Sequence, residues 1–266
     1  MYQLIASDLD GTLLNNEHMV DAYTAETLQT LEKKGIQFVI ATGRHYLDVM
    51  GIRDVLGVRA HLITSNGARI HSPENKLIHE ENIEPNVVQA LAQTEFSAGT
   101  LLNFYLDDAW LIDQHSQYLL DMHQDSGFTY QISDLARHHG QGVAKVLYIG
   151  DHAHLLTVEH KLRERFGNTL YITFSMPDCL EVMAASVSKG HALQVVLERL
   201  KMSASQCIAF GDGQNDLELL QTAGHPRLMS NANPRLVAAL PDVLKIGSNE
   251  ESGVAKHLRT LFQIAH

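Results

Sequence analysis

The sequence predicts an α/β protein, a parallel sheet with helices, interrupted by a second unit of α+β type. Three observations carry this expectation. Apolar runs of strand length alternate with amphipathic helical runs early in the chain and again late in it. Between them the rhythm changes to hairpin and turn signals. Polar residues of a few types stand just past the apolar runs, where ligands of open parallel sheets bind.

Taken in order, "YQLIASD" reads as a buried strand. "AETLQTLEKKG" has Ala25, Leu28 and Leu31 at helical spacing and is closed by Gly35. "IQFVIATGR" is a second strand, followed by a helical stretch from Tyr46 to Leu56. "AHLITSNGARI" is a third strand leading to the turn pair Asn66-Gly67, and a hairpin through "SPENK" follows. This β-α-β-α-β order implies a parallel sheet with right-handed crossovers. Residues 83–184 form the insertion. It holds a helix ("PNVVQALAQ"), a hairpin ("LLNFYLDDAWLID") turning at Asp107-Asp108, and a polar stretch. A strand ("VAKVLYIG"), a helix ("AHLLTVEHKLRERFG") and two strands ("LYITFSM", "CLEVMA") complete it. Such a run predicts a mostly antiparallel sheet with helices on one face. The first rhythm then returns in "SKGHALQVVLERL" (helix), "CIAFGDG" (strand) and "NDLELLQTAG" (helix). Short strands in "HPRLMSN" and "DVLKIG" and an amphipathic helix in "EESGVAKHLRTLF" end the chain. The predicted domains are thus 1–82 with 185–266, and 83–184.

Composition narrows the function. The 266 residues are 45% hydrophobic and 19% charged, as in an ordinary globular protein able to bury a large core. No apolar run approaches the ~20 residues of a membrane span. The net charge of −11 disfavours nucleic acid, whose phosphates need a basic face. "MYQLIASDLD" has no basic leader, and Cys179 and Cys207 lack metal or disulfide spacing, so a cytoplasmic location is expected. The 16 histidines include His138-His139 and His152-Ala153-His154, but no HExxH or His/Cys zinc pattern.

The chemistry concentrates in "IASDLDGTLL". In an extended segment, side chains two apart share a face, so Asp8 and Asp10 stand side by side at the strand's end, where Gly11 permits a sharp turn. Two such carboxylates repel unless a cation lies between them or one keeps its proton. Thr42-Gly43-Arg44 ends the second strand, and Gly211-Asp212-Gly213 with Asn215 and Asp216 follows a late one. Lys189 opens the helix that feeds that late strand. Carboxylates, a hydroxyl, an amide and a lysine on one sheet edge suit a divalent cation and a phosphate.

"DLDGTLL", "ATGR", "SKG" and "GDGQND", in that order, resemble the four motifs of the haloacid dehalogenase-like (HAD) phosphohydrolases. The long insertion resembles the α/β cap of the Cof-type branch, on a Rossmann-like core. "ITSNGAR", "CLEVM" and "VSKGHAL" are similar to phrases in phosphatases of pyridoxal phosphate and sugar phosphates. The resemblance implies Asp8 as nucleophile, forming an aspartyl phosphate, and Asp10 as the acid and then the base. It implies Thr42, Lys189 and the backbone of Leu9 and Gly43 on the phosphoryl oxygens, with Asn215 bonding phosphate or orienting a carboxylate. Mg2+ would take Asp8, the backbone carbonyl of Asp10 and Asp212, with Asp216 steadying the shell. An aspartate at position 10 suits rapid hydrolysis rather than a long-lived phosphoenzyme. The alternatives are a phosphosugar mutase of the same superfamily and a non-catalytic phosphate- or metal-binding scaffold. The expected partners are small phosphorylated metabolites, with no nucleic acid or membrane, for a monomer or weak homodimer.

Substrate choice would rest with the cap, whose loops close over the leaving group. Asn103, Tyr105, Asp107 and Trp110 lie on the cap hairpin and Glu181 on its last strand; Tyr105 and Trp110 could meet substrate or pack within the cap. Arg44 and His45 start the helix after the second motif and could reach a second anionic group. Asn66, ending the third strand, offers an amide to the substrate.

Overall fold

The structure, a computed structural model, describes residues 2–124 and 126–264. The chain begins with β1 (Leu4–Ser7), α1 (Ala22–Lys33), β2 (Gln37–Ala41), α2 (Tyr46–Leu56), β3 (Ala60–Thr64), β4 (Arg69–His71) and β5 (Leu77–Glu80). Next come α3 (Pro85–Leu91), α4 (Thr94–Ser97), β6 (Leu101–Tyr105), β7 (Trp110–Ile112), α5 (Gln117–Met122) and β8 (Gln131–Ile132). They are followed by β9 (Lys145–Ile149), α6 (His152–Phe166), β10 (Leu170–Met176) and β11 (Cys179–Ala184). The last part holds α7 (Lys189–Leu200), β12 (Cys207–Gly211), α8 (Leu217–Thr222), β13 (His225–Leu228), α9 (Pro234–Ala239), β14 (Leu244–Lys245) and α10 (Gly253–Phe262). The helix read around Tyr46 to Leu56 is present. None of the described helices is long and apolar enough to cross a membrane.

The chain divides into two compact units. One comprises the chain up to Arg44, Val49–Ile78 and the chain from Ser188 onward. Its eight-stranded sheet has the order β14-β13-β12-β1-β2-β3-β4-β5. β12, β1, β2 and β3 run parallel, so their carboxyl ends share one edge. The pleat sends alternate residues of β1 to opposite faces. Leu4 and Ala6 join Val39 and Ile63 under Leu193, Val196 and Leu197 of α7. Ile5, with Phe38 and Ile40, meets Leu28 of α1, Leu56 of α2 and Val254 of α10 around a small apolar void. A sheet apolar on both faces needs helices on both, which accounts for the nearly unbroken hydrophobic runs in its strands.

The other unit comprises His45–Asp48 and His79–Val187. Its six-stranded sheet, β10-β11-β9-β6-β7-β8, is antiparallel between β10 and β7, and only β7–β8 is parallel. Leu102, Phe104, Val146, Tyr148, Leu180 and Val182 pack under α3, α4 and α6 through Val88, Phe96 and Leu155. The helices were expected on this face alone. The structure corrects this: the alternate residues Tyr105, Trp110, Ile112, Leu147 and Cys179 are also buried, against Leu119 of α5 and Phe128. The strands carry apolar residues on both pleat faces, and the stretch read as merely polar supplies Phe128 to the second cover.

Two local devices set the start of α7. The Ser188 hydroxyl accepts the His191 N–H at 3.0 Å, capping the helix. At Gly190 a β-carbon would stand 2.3 Å from the backbone oxygen of Glu218, so α7 and α8 touch backbone to backbone there. Alanine favours a helix interior over glycine by about 0.5–1 kcal/mol, but overpacking costs about 1–3 kcal/mol. Gly190→Ala is therefore expected to lower the melting temperature in a thermal unfolding experiment; an unchanged or raised value would show that the helices separate freely.

Candidate active site

At the carboxyl edge of the parallel sheet, β1 delivers Asp8 and β12 delivers Asp212, on neighbouring strands. After Asp8 the backbone turns abruptly: Gly11 adopts φ +77°, and a β-carbon there would lie 2.4 Å from Asp212 Oδ2. Glycine is thus required both by the left-handed conformation and by the closeness of a carboxylate. The next residue, Thr12, donates its hydroxyl to Asp212 Oδ1 at 2.6 Å. Asn231 reaches the turn from after β13 and donates to the Gly11 carbonyl at 2.8 Å.

Lys189, 1% exposed at the first turn of α7, lies between two carboxylates. Its Nζ donates to Asp8 Oδ1 and to Asp216 Oδ1, each at 2.7 Å. The second oxygen of Asp216 accepts the N–H groups of Asp212 (3.0 Å) and Gly213 (2.8 Å), tying the loop after β12 to the same charge. Burial alone would discharge the ammonium, but Asp216 and then Asp8 outweigh it and hold the Lys189 pKa above the ordinary lysine value. Burial pushes the Asp8 carboxyl well above its usual range; repulsion from Asp216 adds to this and Lys189 opposes it. Asp212 is pushed up to about 6, by burial first, with the Thr12 hydrogen bond lowering it and Asp216 raising it again. Asp8, Asp212 and Asp216 each place a carboxylate oxygen within 4.8 Å of the others. A cluster of hard oxygen donors destabilised by its own negative charge is suited to a divalent cation.

Asp10 is treated differently from its neighbour. Arg44 grips it with a fork, Nε to Oδ2 at 2.8 Å and Nη2 to Oδ1 at 2.5 Å, and His18 Nδ1 lies 3.0 Å from Oδ1. Burial would raise the Asp10 pKa, but the Arg44 hydrogen bonds and charge, with His18, hold it below the usual carboxylate value. Two aspartates two residues apart thus have opposite proton affinities. In this structure Arg44 is engaged with Asp10, not presented to a second anion.

The remaining candidates fall into two places. Thr42 is buried past β2; its hydroxyl accepts the Arg44 N–H at 3.1 Å, and its carbonyl accepts the Asn66 N–H at 3.0 Å. Asn66 lies beyond β3, in a short turn over Ser65–Gly67, at φ +58°. Its Oδ1 accepts Asn215 Nδ2 at 2.9 Å and would stand 3.0 Å from a β-carbon at Gly43. Leu9 is buried within the turn after Asp8. Asp8, Asp10, Thr42, Gly43, Arg44, Asn66, Lys189, Asp212, Asn215 and Asp216 thus belong to one unit. His45, Tyr105 and Trp110 belong to the other. His45 is 1% exposed; its Nε2 donates to the Leu106 carbonyl at 2.7 Å, and its Nδ1 accepts the Leu47 N–H at 3.1 Å. It stacks on Phe128 and meets Tyr105 edge-on. Trp110 is buried beside Phe128 and donates its indole N–H to Asn103 at 2.8 Å. Glu181 is paired with Lys145 at 3.0 Å on the same sheet face.

Thr12, His18 and Asn231 touch the site without having been singled out. Thr12 stands inside the "DGT" phrase and could have been found there. His18 meets Asp10 only through a loop in which His18 itself has φ +58° and Asn15 caps two N–H groups. Asn231 arrives from 220 residues away. No local pattern announces either contact.

Comparison with known proteins agrees with this geometry. Residues 5–258 match the sequence profile of the haloacid dehalogenase-like hydrolases. A Haemophilus influenzae protein is 42% identical over 98% of this chain and 97% of its own length. The HMP-PP phosphatase of Cronobacter sakazakii is 38% identical over 97% of this chain and 95% of its own. Among solved structures, a haloacid dehalogenase-like hydrolase from Bacteroides thetaiotaomicron has 26% identity and a TM-score of 0.88, covering 98% of this chain and 100% of that one. Another from B. subtilis has 28% identity and a TM-score of 0.86, covering 97% and 99%. The chain therefore belongs to the haloacid dehalogenase-like hydrolase family.

Proposed function

We propose that this enzyme is a magnesium-dependent phosphatase that hydrolyses small phosphomonoesters, pyridoxal phosphate and sugar phosphates among them, in the cytoplasm. The observation that carries the reading is Lys189, bonded to both Asp8 and Asp216 beside Asp212. The family and the relatives named HMP-PP phosphatases make it a phosphatase. An anionic nucleophile must meet an anionic phosphoryl group, and the ammonium offsets that repulsion.

In this reading an Asp8 oxygen attacks phosphorus, and the P–O bond to the alcohol breaks as Asp10 supplies its proton. Asp10 then takes a proton from water, whose oxygen displaces Asp8 from phosphorus and releases phosphate. Thr42, Lys189, Asn215 and the backbone N–H groups of Leu9 and Gly43 hold the phosphoryl oxygens. Asp10 under the Arg44 fork is a carboxylate, the form that accepts the proton from water. To donate to the leaving group it has to pick up a proton, which the fork opposes. Three carboxylates with oxygens within 4.8 Å fit Mg2+. Asp8, Asp212 and the Asp10 carbonyl would hold it, with Asp216 steadying the loop, and the bound ion neutralises charge at the transferring phosphoryl group. The second unit, as a cap, selects the alcohol part, and its size favours compact metabolites over phosphoproteins.

Asp8→Asn keeps the shape of the nucleophile and removes its charge. It is expected to reduce kcat at least about a thousandfold on p-nitrophenyl phosphate with Mg2+, and equally on a panel of pyridoxal and hexose phosphates compared by kcat/KM. Turnover within tenfold of wild type would remove Asp8 from that role, and cleavage of phosphopeptides far above every small phosphate would overturn the substrate class.

Arg44→Ala removes the group that most strongly favours the ionised form of Asp10. The limb of the pH–rate profile set by Asp10 should move to higher pH; an unmoved profile would show that Asp10 does not set it.

The Asp212 carboxyl, raised in the fold to about 6, supplies the third test. Its folded pKa exceeds the unfolded value near ~3.9, so the native state loses stability as pH rises between the two and carries the full penalty above. Metal-free Asp212→Asn should therefore melt higher than wild type at pH 7.5, with the difference shrinking toward pH 4. Mg2+ should raise the melting temperature of wild type and not of the variant; the reverse order would show that the cluster is not electrostatically strained.

A further inference from the structure

We propose that a second cleft, at the end of the parallel sheet opposite the candidate active site, binds a small organic anion with an apolar ring, such as an aryl phosphate or carboxylate. Thr42 and Asn66 follow the carboxyl ends of β2 and β3, whereas this cleft opens where those strands begin, at Gln37 and Ala60. It belongs wholly to the larger-sheet unit and measures about 720 Å³, within the ~300–1,000 Å³ of small-molecule sites.

Its apolar lining comes from Ile36, Phe38, Ile78 and Leu200. Its polar groups are unevenly satisfied. Arg59 is paired with Glu74, and its backbone N–H donates to Glu32 Oε1 at 2.7 Å, which leaves the Glu32 charge without a cation among the described residues. Arg199 and Lys76, also lining the cleft, make no ion pair among the described residues. In a chain of net charge −11, a lining of three cations and two carboxylates leaves one net positive charge at the cleft, a local attraction for an anion.

His61 is the second, independent feature. It lies on β3, is 6% exposed and lines the cleft, and no hydrogen bond to another described residue engages its imidazole. The ring lines the cleft with no protein partner among the described residues, so its nitrogens are available to a molecule bound there. Burial, opposed by Glu74 and reinforced by Arg199, lowers its pKa and keeps the ring neutral. A neutral imidazole offers one donor and one acceptor, which suits an oxyanion beside a ring heteroatom or hydroxyl.

The test uses the full chain with 8-anilinonaphthalene-1-sulfonate, an anionic aromatic probe, followed by fluorescence. Wild type should show one saturable site from which phenylphosphonate, which cannot be hydrolysed, displaces the probe. Arg199→Glu and, separately, Lys76→Glu, both on exposed positions, should weaken probe binding at least tenfold and leave turnover of p-nitrophenyl phosphate unchanged. Unaltered affinity in both variants, the lack of a saturable site, or failure of phenylphosphonate to displace the probe would each overturn the proposal. Because hydrolysis is measured separately, these outcomes are distinct from failure of the phosphatase reading.

Discussion

One buried ammonium organises the carboxyl edge of the sheet. Lys189 binds Asp8 from β1 and Asp216 from the loop after β12, and Asp216 in turn accepts the N–H groups of Asp212 and Gly213. Three segments far apart in sequence are thereby fixed by one charge. Taking a single member from a buried charge network costs about 3–5 kcal/mol, because the partners remain buried and unneutralised. Without Lys189, two buried carboxylates would face each other alone, and the loop carrying Asp212 would lose the anchor that aims it. The Ser188 cap and the bare backbone at Gly190 then have a common purpose: they fix the start of α7 where the ammonium must sit.

The site also separates two chemically identical side chains. Asp8 is buried among negative charges and has a raised proton affinity, while Asp10 is held ionised by a guanidinium fork and an imidazole. The difference comes from what the turn after β1 does with alternate residues. Asp8 ends an extended segment and faces inward to α7; Asp10 lies in the turn itself, within reach of Arg44. Environments that push paired carboxyl groups apart are how a fold assigns them different tasks.

Much of this was legible in the sequence because it is local. The apolar run carried Asp8 to the strand end, the helical spacing of Ala25, Leu28 and Leu31 found α1, and strand ends pointed to Thr42 and Asp212. The two-residue period, by contrast, put Asp10 beside Asp8, and the structure has it in the turn. What was not legible depends on packing between distant segments. Arg44 read as a ligand for a second anion because nothing local says that its guanidinium folds back onto Asp10, 34 residues earlier. Tyr105 and Trp110 offered two readings, contact with substrate or packing within the cap. Only the cover laid over them by α5 and Phe128 shows them buried among aromatic rings of their own unit. His45 follows a strand-end motif, yet its ring is hydrogen-bonded to Leu106, because the chain there already belongs to the other unit.

The position of β1 has a consequence for how the molecule is made. β1 lies between β2, which is synthesised soon after it, and β12, which pairs with it through Leu4–Cys207 to Ser7–Phe210. A growing chain therefore holds β1 with one neighbour missing until β12, about 200 residues later, has been made. During that interval the sheet of the inserted unit, complete at β11, can close around its own core. Asp8 waits without Lys189, which arrives on α7, and without Asp212 and Asp216, which follow the strand that fills the gap. Non-local closure of this kind is slow and comes late. The charge cluster then forms only after the inserted unit has been made, and a chain stalled before α7 carries an unneutralised Asp8 rather than a partial site.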